Sequence, residues 1–389
     1  MKRTSSIMFV FLVLFGPAFI MGQKSTSKAR VEIIDGVECI HNPETPIHPE
    51  KTVTFVEDLS INTEDKDGNI IFIEPWLSFV DDNENIYIIE RRDQVIKVFK
   101  SDGKQIKTIG AKGSGPGEFQ VIMPNNLAIT KDGKLIAHDA TSRRTSIFDS
   151  SGRFLKSFHW RTRYGKYLLT KESSFIICTL ENIGDASTQI IVKEVDFNGK
   201  ERPIEGEFAE IKSYIIRQGN MSYYFSPPVV TASEFAGDQD RGRFYHCINN
   251  KYVIEVYDAS GKIFRKIDRP YEPVRFTDED ARAYRAGIIA PNEFFRKAMA
   301  ETKMPKEKSI VEGMLVDNKG NLWIKTNEIK YEGEKILTAF DIFDSDGYYF
   351  AKVWTAFIPR IFKKGKMYLM EKDADTGYQT LKRYKVIWK

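Results

Sequence analysis

From Thr52 onward the apolar positions fall into short runs broken by polar turns rich in Asp, Asn and Gly. Such runs read as β-strands, and one arrangement of them repeats with a period of about fifty residues. Each unit has an apolar first strand, a polar turn, a second strand rich in Ile, Tyr and Leu, a variable loop, a third strand ending in an aromatic, a tight turn and a last strand. The closing hairpin is the clearest signal. It reads VFKSDGKQIKTI from Val98 to Ile109, IFDSSGRFLKSF from Ile147 to Phe158, EVDFNGKERPI from Glu194 to Ile204, VYDASGKIFRKI from Val256 to Ile267 and IFDSDGYYFAKV from Ile342 to Val353. Each has Gly where a tight turn requires positive φ.

The opening hairpin recurs six times, before Ile86, Leu135, Phe175, Phe244, Leu322 and Met367. Six opening and five closing hairpins leave one strand missing, because the chain stops just after RYKVIW. TVTFVEDLSI, near Thr52, is strand-like and otherwise lacks a partner. Pairing it with Arg383 to Trp388 completes the sixth unit from both ends of the chain and leaves no long open edge. Units of this size, stacked because one small sheet cannot bury both its faces, predict an all-β six-bladed propeller closed by an N-terminal strand. The expected organisation is a signal peptide over 1–22, an N-terminal extension over 23–50 and the propeller over 51–389.

The turn glycines Gly103, Gly152, Gly199, Gly261 and Gly347 are separated by 49, 47, 62 and 86 residues, so the two long steps contain insertions. The first insertion lies within Gly206 to Asp238 and carries Tyr214, Tyr223, Tyr224 and Phe225. The second, about 277–309, reads TDEDARAYRAGIIAPNEFFRKAMAETK over Thr277 to Lys303. Thr277 with Asp280 forms a capping-box-like helix start, Asp278 and Glu279 suit the positive helix terminus, and Pro291 divides the segment into two short helices. Both insertions join the last strand of one blade to the first of the next, so they are expected on the face that also carries the loops between second and third strands. A lid over the channel and a prop between blades both remain open.

Composition narrows the class. With 42% hydrophobic residues in 389 the chain can bury a large core, which excludes a disordered polypeptide. A formal charge of +4 from 58 basic and 54 acidic residues gives no whole-molecule attraction to nucleic acid or membrane. Three cysteines, Cys39, Cys178 and Cys247, make no disulfide scaffold and no C-x-x-C site. They read as small buried residues, with their redox state open. Lys2 and Arg3 followed by the apolar run Ile7 to Met21 and small Gly22 match a secretory signal, and no Cys follows for a lipid anchor. The expectation is a periplasmic or secreted monomer with no membrane span in the mature chain.

GAKGSGPGEFQVIMPNNLAITKDGKLIAHDATSRRTSIFDSSGRF, from Gly110 to Phe154, resembles an NHL repeat: a GxGPGEF lead-in, an apolar strand, xDGx, a strand ending in Asp139, then Arg144. The chain from about Ile40 to Lys389 looks like the exported bacterial group of NHL/TolB-like six-bladed β-propeller proteins. The resemblance is strong in the first two blades and weak in the third and fourth, where Ile248 and Tyr252 stand in place of the repeat's Asp and Arg. By the positions of their loops, the insertion-bearing face is expected to carry Arg91 and Arg92 in the first blade, Arg143 and Arg144 in the second, and Trp160, Arg161, Arg163 and Tyr164 between the second and third, beside Tyr223 and Tyr224 of the first insertion. Arginine interleaved with aromatics suits carboxylate, phosphate or sugar faces, although Arg144 also matches the arginine that braces a neighbouring loop in the repeat.

Catalytic signatures are sparse. The Gly113 to Gly117 stretch follows no strand-to-helix unit, and Pro116 removes a donor, so it is a turn and not a phosphate loop. None of His41, His48, His138, His159 and His246 shows local metal-ligand spacing. By alignment, Cys247 and not His246 shares the strand phase of His138. The reading is an exported, non-catalytic binding or scaffold propeller that recognises a protein, peptide or glycan on the insertion-bearing face. The alternative is a metal-dependent lyase or lactonase-type hydrolase working at the channel, as the resemblance to lyases and gluconolactonase-like propellers implies. No cofactor is required by the sequence, and a divalent channel metal stays open.

Overall fold

Each predicted closing turn brings a glycine into left-handed backbone, with φ between +78° and +92° at Gly103, Gly152, Gly199, Gly261 and Gly347. The computed structural model describes residues 28–64, 67–159, 165–169, 174–183, 186–290 and 292–389. The expected signal peptide therefore lies outside the described residues. Among those described, no helix is long and apolar enough to cross a membrane.

The strands form six blades. In chain order from the inner strand outward, blade 1 is Pro75–Val80, Ile86–Glu90, Val95–Phe99 and Gln105–Ile109. Blade 2 is Ile122–Ile129, Leu135–Asp139, Arg144–Phe148 and Phe154–His159. Blade 3 is Gly165–Leu169, Ser174–Asn182, Ser187–Asp196 and Glu201–Pro203. Blade 4 is Ser233–Asp238, Arg243–Ile248, Val253–Asp258 and Ile263–Asp268. Blade 5 is Val311–Val316, Leu322–Glu332, Lys335–Phe343 and Tyr349–Thr355. Blade 6 takes Ile361–Lys363, Lys366–Lys372 and Gln379–Trp388 from the C-terminal end, and Val53–Ile61 from the N-terminal end. This last pairing is antiparallel, from Val53 opposite Trp388 to Ile61 opposite Leu381, so the ring closes as the sequence predicts.

Burial explains why six sheets form one body. Among the described residues, one apolar cluster fills each interface between neighbouring blades. The cluster joining blade 6 to blade 1 unites Ile61, Tyr368 and Leu381 with Phe72, Ile86 and Phe99, so the closing strand is packed as well as paired. The turn glycines belong to the same packing. A Cβ on Gly152 would lie 2.9 Å from Ile109 Cγ1, at the end of blade 1, and one on Gly261 would lie 2.8 Å from Ile204 Cγ1, at the edge of blade 3. Glycine there satisfies positive φ and close approach together. Gly152→Ala is expected to cost about 1–3 kcal/mol in urea unfolding, and a loss below about 0.5 kcal/mol would contradict this account of the turn.

Two features depart from the sequence reading. The described part of the N-terminal extension contributes a hairpin, Arg30–Ile34 and Val37–His41, whose second strand adds in parallel to the outer strand of blade 4. The chain then crosses blade 5, where Asn42 accepts from Tyr349 N at 2.8 Å and donates to the Gly347 carbonyl at 3.0 Å. The first insertion is also shorter than its expected limit, because Ser233–Asp238 is already the inner strand of blade 4. Within it, Glu210–Lys212 extends blade 3, and Tyr214–Gln218 with Met221–Phe225 makes a separate hairpin. The second insertion forms helices α1 (Asp278–Ala286) and α2 (Glu293–Glu301), with the Thr277 and Asp280 capping box present. Pro291, predicted to separate them, lies outside the described residues.

Candidate binding face

Strand direction assigns the two ends of the ring. Inner strands start at the end where both insertions enter, and the loops between second and third strands return to that end. The glycine turns lie at the other. The two insertions meet there. Tyr223 and Phe225 of the inserted hairpin pack edge-on against Phe295 of α2, with ring centres 5.6 and 5.4 Å apart. Asn292 Nδ2 donates to Tyr223 Oη at 2.9 Å, and Tyr284 Oη donates to the Ser226 carbonyl at 2.6 Å. Ile216, Phe295 and Met299 are buried at the centre of this small cluster, which explains why neither insertion needs a blade to cover it.

Most of the exposed large hydrophobic side chains lie at the same end; the others, Val31, Ile33, Ile34, Ile47, Val56, Ile106, Leu155 and Ile387, lie on the N-terminal segment and the outer two strands of blades 1, 2 and 6. Met221, Tyr224, Ile289, Tyr331, Ile358 and Tyr378 are 43–94% exposed, and all lie in insertions, in connections between blades or in the long second-to-third-strand hairpins. Among the described residues, no large exposed hydrophobic side chain falls in the tight turns of the opposite end. Isolated apolar exposure is ordinary on any protein, whereas concentration on one face marks a surface that meets something.

The channel opens at this end as a cavity of about 720 Å³ lined by residues from all six blades. Four cationic side chains, Lys166, Lys325, Arg360 and Lys372, line it with one carboxylate, Glu312. Lys166, on the inner strand of blade 3, donates to the Phe235 carbonyl of blade 4. Burial lowers its pKa, opposed by Cys178 and by Glu234. Burial also raises the Glu234 carboxyl, with Lys166 pulling the other way. Lys325 is ion-paired with Glu312. Arg360 and Lys372 are exposed and make no ion pair or side-chain hydrogen bond among the described residues. None of the described insertion residues lines the cavity.

The predicted site residues separate into distinct roles. Arg91 lies 4.2 Å above the ring of Trp76, which lines the channel, and 3.7 Å from Glu74. Arg92 and Arg143 are exposed in the loops of blades 1 and 2, and Arg143 has φ of 54°. Arg144 is buried and donates to the carbonyls of Ser114 at 2.8 Å, Gly115, and Glu118 at 2.9 Å. It is the brace that the repeat implies. Asp139 opposite it accepts from Gln120 N and Thr141 N at 2.7 and 2.8 Å; burial pushes its carboxyl up, but these donors outweigh that and leave it low. Tyr223 belongs to the insertion cluster, while Tyr224 points outward, 56% exposed. Trp160, Arg161, Arg163 and Tyr164 lie outside the described residues.

Blade 4 solves the missing Asp in another way. Asn249, one residue past Ile248, accepts from Ala232 N at 3.0 Å and donates to the Val230 carbonyl at 2.9 Å. The same job passes to an amide shifted by one position, which a search for the repeat pattern overlooks. The histidine phase is as aligned, since Leu135 opposes Phe148 and Phe244 opposes Tyr257, which places Cys247 level with His138. His246 is held between Glu255 at 3.2 Å and Ser233 at 2.9 Å. Among the described residues, no group of three or more His, Cys, Asp or Glu side chains is placed to hold a metal ion. All three cysteines are buried and unpaired. Lys166, Lys325, Arg360 and Lys372 were missed; for Lys166 the available signal was charge in an inner strand, as in GKYLL, whereas Lys325 and Lys372 sit on second strands and Arg360 on a connection.

These features define the class: a six-bladed β-propeller with a composite insertion on one face. Residues 61–161 match the family model DUF5128, described as 6-bladed beta-propeller. Among solved structures, the chain is similar to a member of the duf4221 family from Bacteroides vulgatus, with TM-score 0.52 and 11% identity over 86% of this chain and 98% of that one. It also matches a protein described as exported from Bacteroides fragilis, with TM-score 0.48 and 11% identity over 90% and 99% of the two chains. A third match is the virginiamycin B lyase of Staphylococcus aureus, with TM-score 0.39 and 12% identity over 85% and 99%. No curated protein matches. At such identities the likeness concerns the fold, and activity does not follow from it.

Proposed function

We propose that this chain is an exported, non-catalytic binding propeller that recognises its partner on the insertion-bearing face. The observation that carries the reading is that most exposed apolar side chains lie on that face, around a channel mouth lined by cations. Aromatic and aliphatic knobs give contact area, and the charged mouth gives orientation. Of the partner classes that suit such a rim, a protein or peptide fits best, because Met221, Ile289 and Ile358 offer aliphatic surface that a hydrated glycan does not cover well.

The test is partner capture from culture medium and periplasmic extract, quantified by affinity. The double variant Tyr224→Ser with Tyr331→Ser is expected to weaken the captured complex at least tenfold, and thermal unfolding should be unchanged because both side chains are exposed. Equal affinity in wild type and variant, with loss in a variant of the opposite face such as Lys104→Glu with Lys200→Glu, would refute the assignment of the face.

A further inference from the structure

We infer that the channel mouth receives a carboxylate of a polypeptide partner, either its C-terminus or an Asp or Glu side chain, held by Arg360 and Lys372 above Lys166. The inference rests on the proposed function, since it names what enters the channel when a polypeptide lies across that face. The lining sets Lys166, Lys325, Arg360 and Lys372 against Glu312, with Glu234 acting on Lys166 from the neighbouring strand, so the cations of the cavity of about 720 Å³ left uncompensated are Arg360 and Lys372. Lys325 has Glu312, and Lys166 has the Phe235 carbonyl, but Arg360 and Lys372 are unpaired among the described residues. Both come from blade 6, on the connection entering its inner strand and at the end of its second strand. They face a cavity that Lys166 enters from blade 3.

The chemistry favours a carboxylate over a phosphate. Lys166 is held to the Phe235 carbonyl at the wall between blades 3 and 4, and the Glu312 carboxylate stands in the same lining, so a dianion entering the cavity meets more like-charge repulsion than a monoanion. The site already holds one carboxylate, that of Glu312 on Lys325. Arg360 supplies a planar fork suited to a second, and Lys372 a point charge on the same lining. The volume lies within the range of roughly 300–1,000 Å³ typical of small-ligand sites. It accepts a side chain or a chain end and excludes a folded domain. Capture of a chain end or an acidic side chain in a cationic pocket, with apolar contacts outside it, is a recurring mode of peptide recognition.

The test uses the full chain and a random octapeptide library prepared as free acids and as C-terminal amides. Peptides selected by the wild-type protein are expected to bind at least tenfold more weakly to the double variant Arg360→Ala with Lys372→Ala. Amidating the terminus or changing Glu to Gln in the peptide should cost the same factor and add nothing in the variant. Loss on amidation assigns the terminus, and loss on Glu to Gln assigns a side chain. Lys166→Met is expected to weaken the same peptides; should it fold poorly, the exposed pair still decides. Peptides that bind equally as acids and as neutral forms would overturn the carboxylate assignment and leave the binding face standing. Binding of inorganic phosphate, or of a hexuronate oligosaccharide, that depends on Arg360 and Lys372 in the absence of any peptide binding would overturn it in favour of a different ligand. No peptide binding to any form would count against the proposed function itself.

Discussion

Replacing Asp341 by Ala is expected to remove about 4 kcal/mol or more of stability, a large fraction of what a folded chain has. Asp341 is fully buried on the third strand of blade 5. Its Oδ2 accepts from Arg269 Nε at 3.1 Å and from Tyr252 Oη at 2.6 Å, and its Oδ1 accepts from Tyr349 Oη at 2.7 Å. Arg269, the first residue after the outer strand of blade 4, is itself buried, with its guanidinium carbon 4.6, 5.2 and 4.9 Å from the ring centres of Tyr252, Tyr271 and Tyr349. Removing the carboxylate strands a buried cation, which typically costs about 3–5 kcal/mol, and orphans two hydroxyl groups at about 1–3 kcal/mol each before relaxation. Adding Arg269→Met to Asp341→Ala should recover part of the loss, because the unpaired charge is then gone. Urea unfolding measures both. A loss below about 1 kcal/mol for the single variant would mean that this cage does not rivet blade 4 to blade 5.

The second large effect concerns closure. A variant starting at residue 62 lacks the strand Val53–Ile61 and leaves Gln379–Trp388 with an open edge. It also loses the Arg383 Nε to Asp58 hydrogen bond of 2.7 Å and Ile61 from the blade 6 to blade 1 core. It is expected to aggregate or to lose cooperative unfolding. A variant starting at residue 51 removes the hairpin on blade 4, the Asn42 strap and the Ile47 N and His48 N hydrogen bonds to the outer strand of blade 5, and is expected to stay folded with a lower melting temperature. Cooperative unfolding of the shorter chain at the wild-type temperature would contradict closure by the two ends.

What the sequence revealed and what it concealed have separate physical causes. Strand alternation and the Gly turns are local, so the ring, its closing strand and the phase of Cys247 relative to His138 were legible. The hairpin Arg30–Ile34 and Val37–His41 was not, because parallel addition to a distant blade leaves no turn signal between the partners. Asn249 escaped notice because a side-chain amide one position along reaches the same backbone as the repeat's Asp. The cations of the channel mouth come from blades 3, 5 and 6, and only closure of the ring brings Lys166, Lys325, Arg360 and Lys372 to one cavity. Arg144 was the converse case, a candidate contact whose three carbonyl partners place it in the scaffold.

Hydrogen exchange of the full chain, alone and saturated with a captured peptide, tests the binding face most directly. The account predicts slowed exchange in segments 210–226, 284–301 and 356–362, with no change at the turns holding Gly103, Gly152, Gly199, Gly261 and Gly347. Protection confined to those turns would place recognition on the opposite end of the ring and contradict it.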